Sequence, residues 1–420
     1  MQKKIIALAV AAALTAPAMA FAEVTVYGLA NLSMDMVSDG ADSTNAGWNG
    51  APVATKAAKT NQLVNNNSRL GFKGSQDLGG GLSAIFQIEG TVGMDSTVPD
   101  TQPSTQTTQV TGLFNRNTWL GLKSADFGSV MAGINDTVYK TATRRLDVFG
   151  DQVSADNRSV MGVKIMGSGH DVRLNNTLTY VSPKLANAFT IAASTVFGAE
   201  VNPQALDSVT YTKTNKGSLM SLAGMYDQGP IYAAMAYQTY KIGAENTGDF
   251  AAAGPVTSTT TVFNFVPSAA NVDDKSTAFK LGGSYNMGAF TVGAVYETMT
   301  GKVSATNAET KGTNYYLTGK FAVGAADAVK LAYGKRGETK TTGSSSASQN
   351  KSNANAADMV AIGYDHAMSK STTVYALYAK ATQKSTAAAK QTPTIYGNFD
   401  PTSNGQADPS AFSIGMKYVF

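Results

Sequence analysis

The feature that most restricts this chain is a period of two that returns from one end to the other. The last eleven residues read SAFSIGMKYVF. Phe412, Ile414, Met416, Tyr418 and Phe420 take alternate positions, with Ala411, Ser413, Gly415 and Lys417 between them. Such alternation marks a strand with one apolar face. Leu82, Ala84, Phe86 and Ile88 alternate with Ser83, Gln87 and Glu89 in the same way. Phe279, Leu281 and Tyr285 oppose Lys280 and Ser284, and Phe290, Val292, Ala294 and Tyr296 oppose Thr291 and Glu297. At the start, Val24, Val26, Leu32, Met34 and Met36 oppose Thr25, Asn31, Ser33 and Asp35, and Leu29 breaks the parity. Near Tyr232 and Tyr375 the parity is ambiguous.

The connections alternate in length. Seven are short (DLGGG, SADFG, SPKLAN, DQGP, NMG, VGAAD and AMSKS) and rich in the residues tight turns require. Between them lie long polar segments at 37–66, 95–113, 242–275, 337–357 and 383–409. Seven hairpins, with a first and a last strand, predict sixteen strands. All short turns then fall on one side of the sheet. A water-soluble sandwich has no reason for that asymmetry, whereas an outer-membrane barrel has short periplasmic turns, long outer loops and an even strand number. Lipid tolerates no open sheet edge, so the sheet must close, and sixteen strands enclose an aqueous channel. The expected fold is therefore all-β, a closed sixteen-stranded antiparallel transmembrane barrel. Its final strand pairs with its first, which is why the chain can end on an aromatic in mid-strand.

The other end gives the compartment. Lys3 and Lys4 precede an apolar stretch from Ile5 to Leu14, and Ala20 and Ala22 form a small-residue cleavage pattern. Residues 1–22 read as a secretory signal peptide and 23–420 as the barrel domain. A membrane anchor is the alternative, but the apolar stretch is shorter than the roughly 20 residues a span needs. Without Lys3 and Lys4 the 33 basic residues fall to 31 against 29 acidic, too even a balance to suggest nucleic acid. The chain has no cysteine, so it carries no disulfide framework. Its two histidines, His170 in GSGHD and His366 in YDHAM, lack any nucleophile-elbow context and read as solvated loop and turn residues. No catalytic, cofactor or metal set emerges, and an enzyme is not expected.

Several stretches, in order, resemble the Gram-negative general porins, a sixteen-stranded trimeric outer-membrane family. They are VTVYGLANLS, SRLGFKGSQDLGGGLSAIFQIE, NRNTWLGLKSADFGSVMAGIN, RLNNTLTYVSPKLANAFTIAAS, GMYDQGPIYAAMAYQ and the terminal GMKYVF. The resemblance implies passive diffusion of small hydrophilic solutes and a homotrimer in outer-membrane lipid and lipopolysaccharide. It also implies a third loop, roughly 135–170, that folds inward and narrows the pore. Tyr418 and Phe420 resemble the terminal signal read by the outer-membrane assembly machinery. One departure is Asn135 in GIND, where the family usually has Arg.

Six of the seven arginines lie between 69 and 173. An Arg on the lipid face at mid-membrane costs some 2–4 kcal/mol, so Arg69 and Arg173 are expected inside, with Lys73. Arg116 is less clear, because Trp119 and Leu120 compete for the lipid side. Lys140 and Arg144, one helical turn apart, and Arg145 are expected to face that wall from the third loop. Asp136, Asp147, Asp151 and Glu89 are expected in opposition, giving a transverse field and a weak preference for anions. The alternatives are rim charges paired within the loops, and a third loop that stays in solvent. A substrate-specific channel, or an adhesin or receptor acting through the outer loops, are the competing functions.

Overall fold

The computed structural model describes residues 23–38, 43–46, 52–55, 59–95, 114–162, 169–197, 218–241, 274–304, 306–343, 356–384 and 408–420. The segment read as a signal peptide lies outside them. The sixteen barrel strands begin with β1 (Glu23–Ser38), β2 (Lys59–Asn65 and Arg69–Gly79), β3 (Leu82–Thr91) and β4 (Thr118–Ser124). Then come β5 (Gly128–Asp136), β6 (Arg173–Val181), β7 (Phe189–Val196), β8 (Ser218–Gln228), β9 (Ile231–Lys241) and β10 (Lys275–Met287). The last six are β11 (Phe290–Lys302), β12 (Glu309–Val323), β13 (Asp327–Arg336, extended by Lys340–Thr342), β14 (Ala357–Ala367), β15 (Thr372–Gln383) and β16 (Ser410–Val419). One helix, α1 (Val138–Arg144), lies in the connection between β5 and β6.

Each strand pairs antiparallel with its sequence neighbours, and β1 closes the cylinder on β16 from Leu29↔Val419 to Ser38↔Ser410. The seven expected hairpins are all present, so both ends of the described barrel lie on the short-turn, periplasmic side. Gly79, Gly80 and Gly81, all at positive φ with open space around them, make the first of these turns.

Two connections are shorter than expected. Lys59–Asn65 continues the ladder along β1, and Lys340–Thr342 pairs with Glu309–Lys311. These segments are mostly polar, with Leu63 and Val64 adjacent rather than alternating, which hides them from a search for apolar alternation, but above the membrane pairing needs no apolar face. A small hairpin, Ser43–Ala46 with Pro52–Thr55, also lies in the first outer connection.

Outward-facing positions carry Val24, Val26, Met34, Leu281, Phe290, Ile362, Ile414 and Phe420, all exposed as lipid-facing groups should be. The ambiguous parities now have a cause. Leu29, Tyr232 and Tyr375 all turn inward and are buried. The Tyr232 hydroxyl donates to the Ala142 carbonyl at 2.5 Å, and that of Tyr375 donates to Asn31 Oδ1 at 2.9 Å.

The barrel has its apolar core inside one half of the lumen. The third connection, 137–172, lays Val138, Tyr139, Ala142, Leu146, Phe149, Val160 and Met161 against inward-facing Ala192, Ala223, Ala234, Ala278, Ala332 and Ala361. Small wall residues are a condition of this contact. A Cβ on Gly282 would lie 2.6 Å from Leu146, and one on Gly363 2.7 Å from Phe149.

Candidate functional site

The inward loop is fixed by polar contacts as well. Val138 N donates to Ser194 Oγ (3.3 Å) and Tyr139 N to Ser221 Oγ (2.9 Å). Further along, Thr318 Oγ1 donates to the Leu146 carbonyl and Lys330 Nζ to Gln152 Oε1. The loop then reaches the opposite wall, where Asn31 Nδ2 donates to the Asp151 carbonyl and Val153 N to Asn66 Oδ1. Its return limb is anchored by Glu297, fully buried on β11, which accepts from Tyr139 Oη (2.8 Å), Gly162 N (2.8 Å) and Asn314 Nδ2 (2.9 Å). Lys280, its cross-strand neighbour, bonds Asp171 and stands 3.5 Å from Glu297.

What remains open is lined by charge. Arg69 donates two bonds to the Asp151 carboxylate, at 2.9 and 3.1 Å. Arg116 Nε donates to Glu89 Oε1 at 2.6 Å, and Tyr27 Oη donates to Glu89 Oε2 at 3.0 Å. Asp136 is surrounded by Lys140 (2.8 Å), Arg173 (3.3 Å) and Arg144 (3.9 Å), and Arg144 also approaches Asp151 at 3.6 Å. Asn117 secures this group: its Oδ1 accepts from Asp136 N and Arg173 Nε, and its Nδ2 donates to Asp136 Oδ2. Arg158 pairs with Asp156 at 2.6 Å. Six cations therefore share four carboxylates around the gap between loop and wall. A cavity of about 110 Å³ lies among Arg116, Lys140, Arg144, Arg158 and Arg173, with Asp147, Asp151, Asp156 and Asp171 also in its lining. Toward the periplasm a larger one, about 450 Å³, is lined by Tyr27, Arg69, Lys73, Gln87 and Lys417.

The residues expected here divide into two groups. Arg69, Arg116, Arg173, Lys140, Arg144, Asp136, Asp151 and Glu89 come together, although the carboxylates sit among the cations as partners and do not face them across open water. Lys73 lies lower, with its ammonium 5.1 Å from the centre of the Tyr27 ring. Arg145 turns to the far wall, where it bonds Asp227 at 2.8 Å and covers the Tyr232 ring at 4.1 Å. A helix presents consecutive residues about 100° apart, so Arg144 and Arg145 could not share a face. Asp147 belongs to the loop's own fastening and accepts from Phe149 N, Asn157 N and Tyr316 Oη. Burial, and then neighbouring Asp156, push its carboxyl up to about 6. Arg69 and Arg144, by contrast, hold Asp151 below the usual carboxylate range against the pull of burial.

His170 corrects the expectation of a solvated histidine. It is fully buried, 2.9 Å from Ser276 Oγ, and Gln238 Nε2 donates to its carbonyl at 3.0 Å. Burial lowers its pKa to about 3, so it is neutral at ordinary pH. His366 is half-exposed beside Asp327. The sequence reading missed Arg158, Asp156, Lys417 and the Lys280–Glu297 pair. The pair had a usable signal: opposite charges at inward-facing positions of adjacent strands.

Residues 7–386 match the family model for the Gram-negative porins. The chain belongs to that family. It is an integral outer-membrane β-barrel. It is 26% identical over 381 residues to outer membrane porin protein 32 of Delftia acidovorans, covering 89% of this chain and 88% of the relative. To the major outer membrane protein P.IB of Neisseria meningitidis serogroup B it is 34% identical over 143 residues. That match covers 33% of this chain and spans about a third (35%) of the relative's length. Against an outer membrane porin protein of Bordetella pertussis it is 25% identical and spans 59% of the relative. Among solved structures, an anion-selective porin from Comamonas acidovorans superposes with a TM-score of 0.64 at 20% identity, over 95% of this chain and all of that one. A Vibrio cholerae outer membrane protein, OmpT, in trimer form gives 0.58 at 15% identity, over 95% of this chain and 99% of that one.

Proposed function

We propose that this porin is a water-filled channel for passive diffusion of small hydrophilic solutes and ions, with a weak preference for anions. The observation that carries the preference is the ion-paired cluster at the narrowing, where six cations share four carboxylates, while Asp147 and Asp171, which also line the gap, are bonded to Tyr316 and Lys280. Low-dielectric walls focus a field of this kind, and rings of Arg and Lys favour anions in pores. Lys73 and Lys417 extend the positive lining toward the periplasm. The Comamonas porin, which has the same fold, is described as anion-selective.

The assembled form is proposed to be a homotrimer joined along β3–β7. These strands hold 10, 7, 9, 9 and 8 residues. Tilted about 40°, a strand climbs roughly 2.5 Å per residue, so they span only ~18–25 Å of an apolar band about 25 Å tall. Contact with neighbouring protomers would cover the shortfall. The superposable Vibrio protein is described in a trimer form.

Planar-bilayer recordings in a salt gradient test the central reading. The reversal potential should have the sign of anion preference and shrink at molar salt, where screening shortens the reach of the wall charges. A cation-preferring sign at low salt overturns it.

A further inference from the structure

The cations at the narrowing are paired, whereas most of those below it are not. Lys73 on β2, Lys123 on β4, Lys320 on β12 and Lys417 on β16 make no hydrogen bond or ion pair with any described residue. All four have the inward parity of their strands. Lys73 shares it with Arg69, Lys320 with Tyr316 and Thr318, and Lys417 with Ser413, which meets Ser154 of the loop. Lys123 alternates with lipid-facing Leu122. Lys123, Lys320 and Lys417 lie near the short-turn ends of their strands, and Lys73 lies below Arg69. The four therefore face the lumen on the periplasmic side of the loop.

Carboxylates on that side do little to offset them. Asp365 is held by Lys330 at 2.9 Å, and Asp227 by Arg145. Asp77 accepts from Gly79 N within its own turn, and Glu23 opens β1 without an ion pair. Lys320 also stands directly opposite Lys330 on the neighbouring strand, and like charges in that position destabilise a sheet. Lys73 and Lys417 border the larger lumen cavity, of about 450 Å³, with Gln87. Glu89 and Asp151 also line it, but they are bonded to Arg116 and Arg69. The cavity at the narrowing above encloses only about 110 Å³. A solute can thus fit the lower space and be too large for the upper one.

We propose that this periplasmic vestibule binds multivalent anions, solutes that carry several phosphate groups and are too bulky to pass the narrowing. Such a solute seats its phosphates on Lys73 and Lys417 and blocks the channel from the periplasmic side alone. Lysine suits the task, because its ammonium is a compact charge on a flexible stem and can follow phosphates of varied spacing. Low-dielectric walls concentrate the field of these unpaired charges. A small monovalent anion meets one or two of them at a time and moves on, whereas a polyphosphorylated solute engages several together. From the outside the same solute meets the loop first. The site rests on the channel reading above, but not on the sign of the channel's selectivity.

The test is single-channel recording of the full-length porin in a planar bilayer, with inositol hexakisphosphate added to one side and then to the other. Biotinylated Lys370→Cys, in the last periplasmic turn of a chain without other cysteines, marks that side when streptavidin is added. Hexakisphosphate should reduce the current from the periplasmic side only, more deeply when the outer side is positive, and less as salt rises from about 0.1 M to 1 M. Uncharged inositol should have no effect. Lys73→Gln/Lys417→Gln should raise the half-blocking concentration about tenfold or more while the channel still conducts chloride. Lys302→Gln, on the lipid side of the wall, should leave the block unchanged. Reversal potential in a chloride gradient without hexakisphosphate reads the selectivity separately, so a channel without anion preference that is still blocked from the periplasmic side retains the site. No block, equal block from both sides, or block indifferent to the double substitution overturns it.

Discussion

Replacing Glu297 by Ala should loosen the inward loop without unfolding the barrel. Its buried carboxylate receives Tyr139 Oη, Gly162 N and Asn314 Nδ2, and lies beside Lys280. Two of those donors belong to the loop. Removing one partner of a buried charge network typically costs about 3–5 kcal/mol, because the remaining groups are left without solvent or acceptor. Lys280 keeps its bond to Asp171, which favours the lower end of that range. The barrel wall is held by a closed ladder on every side, so the loss falls on docking of the loop. At 1.4 kcal/mol per decade, 3–4 kcal/mol raises the undocked population roughly 150- to 700-fold. Single-channel recordings should show larger or flickering conductance steps, while unboiled gel mobility stays that of the folded form. Glu297→Gln should fall between, because its carbonyl still accepts one bond but its amide opposes Asn314 and Lys280. Wild-type conductance, noise and selectivity in Glu297→Ala would refute the assignment of Glu297 as the loop's anchor.

Arg69→Ala/Arg144→Ala should bring the anion-to-cation permeability ratio close to one and raise conductance, because four cations then meet four carboxylates in a wider gap; an unchanged reversal potential would count against it. The Asp147 carboxyl, raised to about 6, is charged above that pH and neutral below it. Lowering the pH from 7.5 to 5 should therefore strengthen anion preference, and Asp147→Asn should flatten the change. His170 has the opposite linkage to docking. Its pKa of about 3 in the docked loop lies below the ordinary 6.5, so docking is fully supported above pH 6.5 and weakens as the pH falls toward 3. Asp147 offsets this down to about pH 4, where its own gain is complete. Channel noise should then rise between pH 4 and 3, where Asp151, held low by Arg69 and Arg144, also begins to lose its support for docking, and a His170→Gln variant should show a smaller rise.

The periodicity of two, and the alternation of short with long connections, determined the closed barrel, its sixteen strands and the pairing of its ends. These are consequences of local alternation and of a solvent that forbids open edges, and both can be read along a single strand. Inward parity likewise placed Arg69 and Arg173. What the loop does with its charges was not legible. Arg145 leaves the narrowing, and Asp147 stays at its edge as part of the loop's fastening, because α1 and the turn after it rotate them toward Tyr232 and Tyr316. His170 is buried because the return limb packs on β9 and β10, roughly 70 to 100 residues away in sequence. The sign of Glu297's contribution also depends on a loop segment 135 residues distant. A strand's period fixes which side a residue faces, but only the path of the loop across the lumen decides which groups meet there.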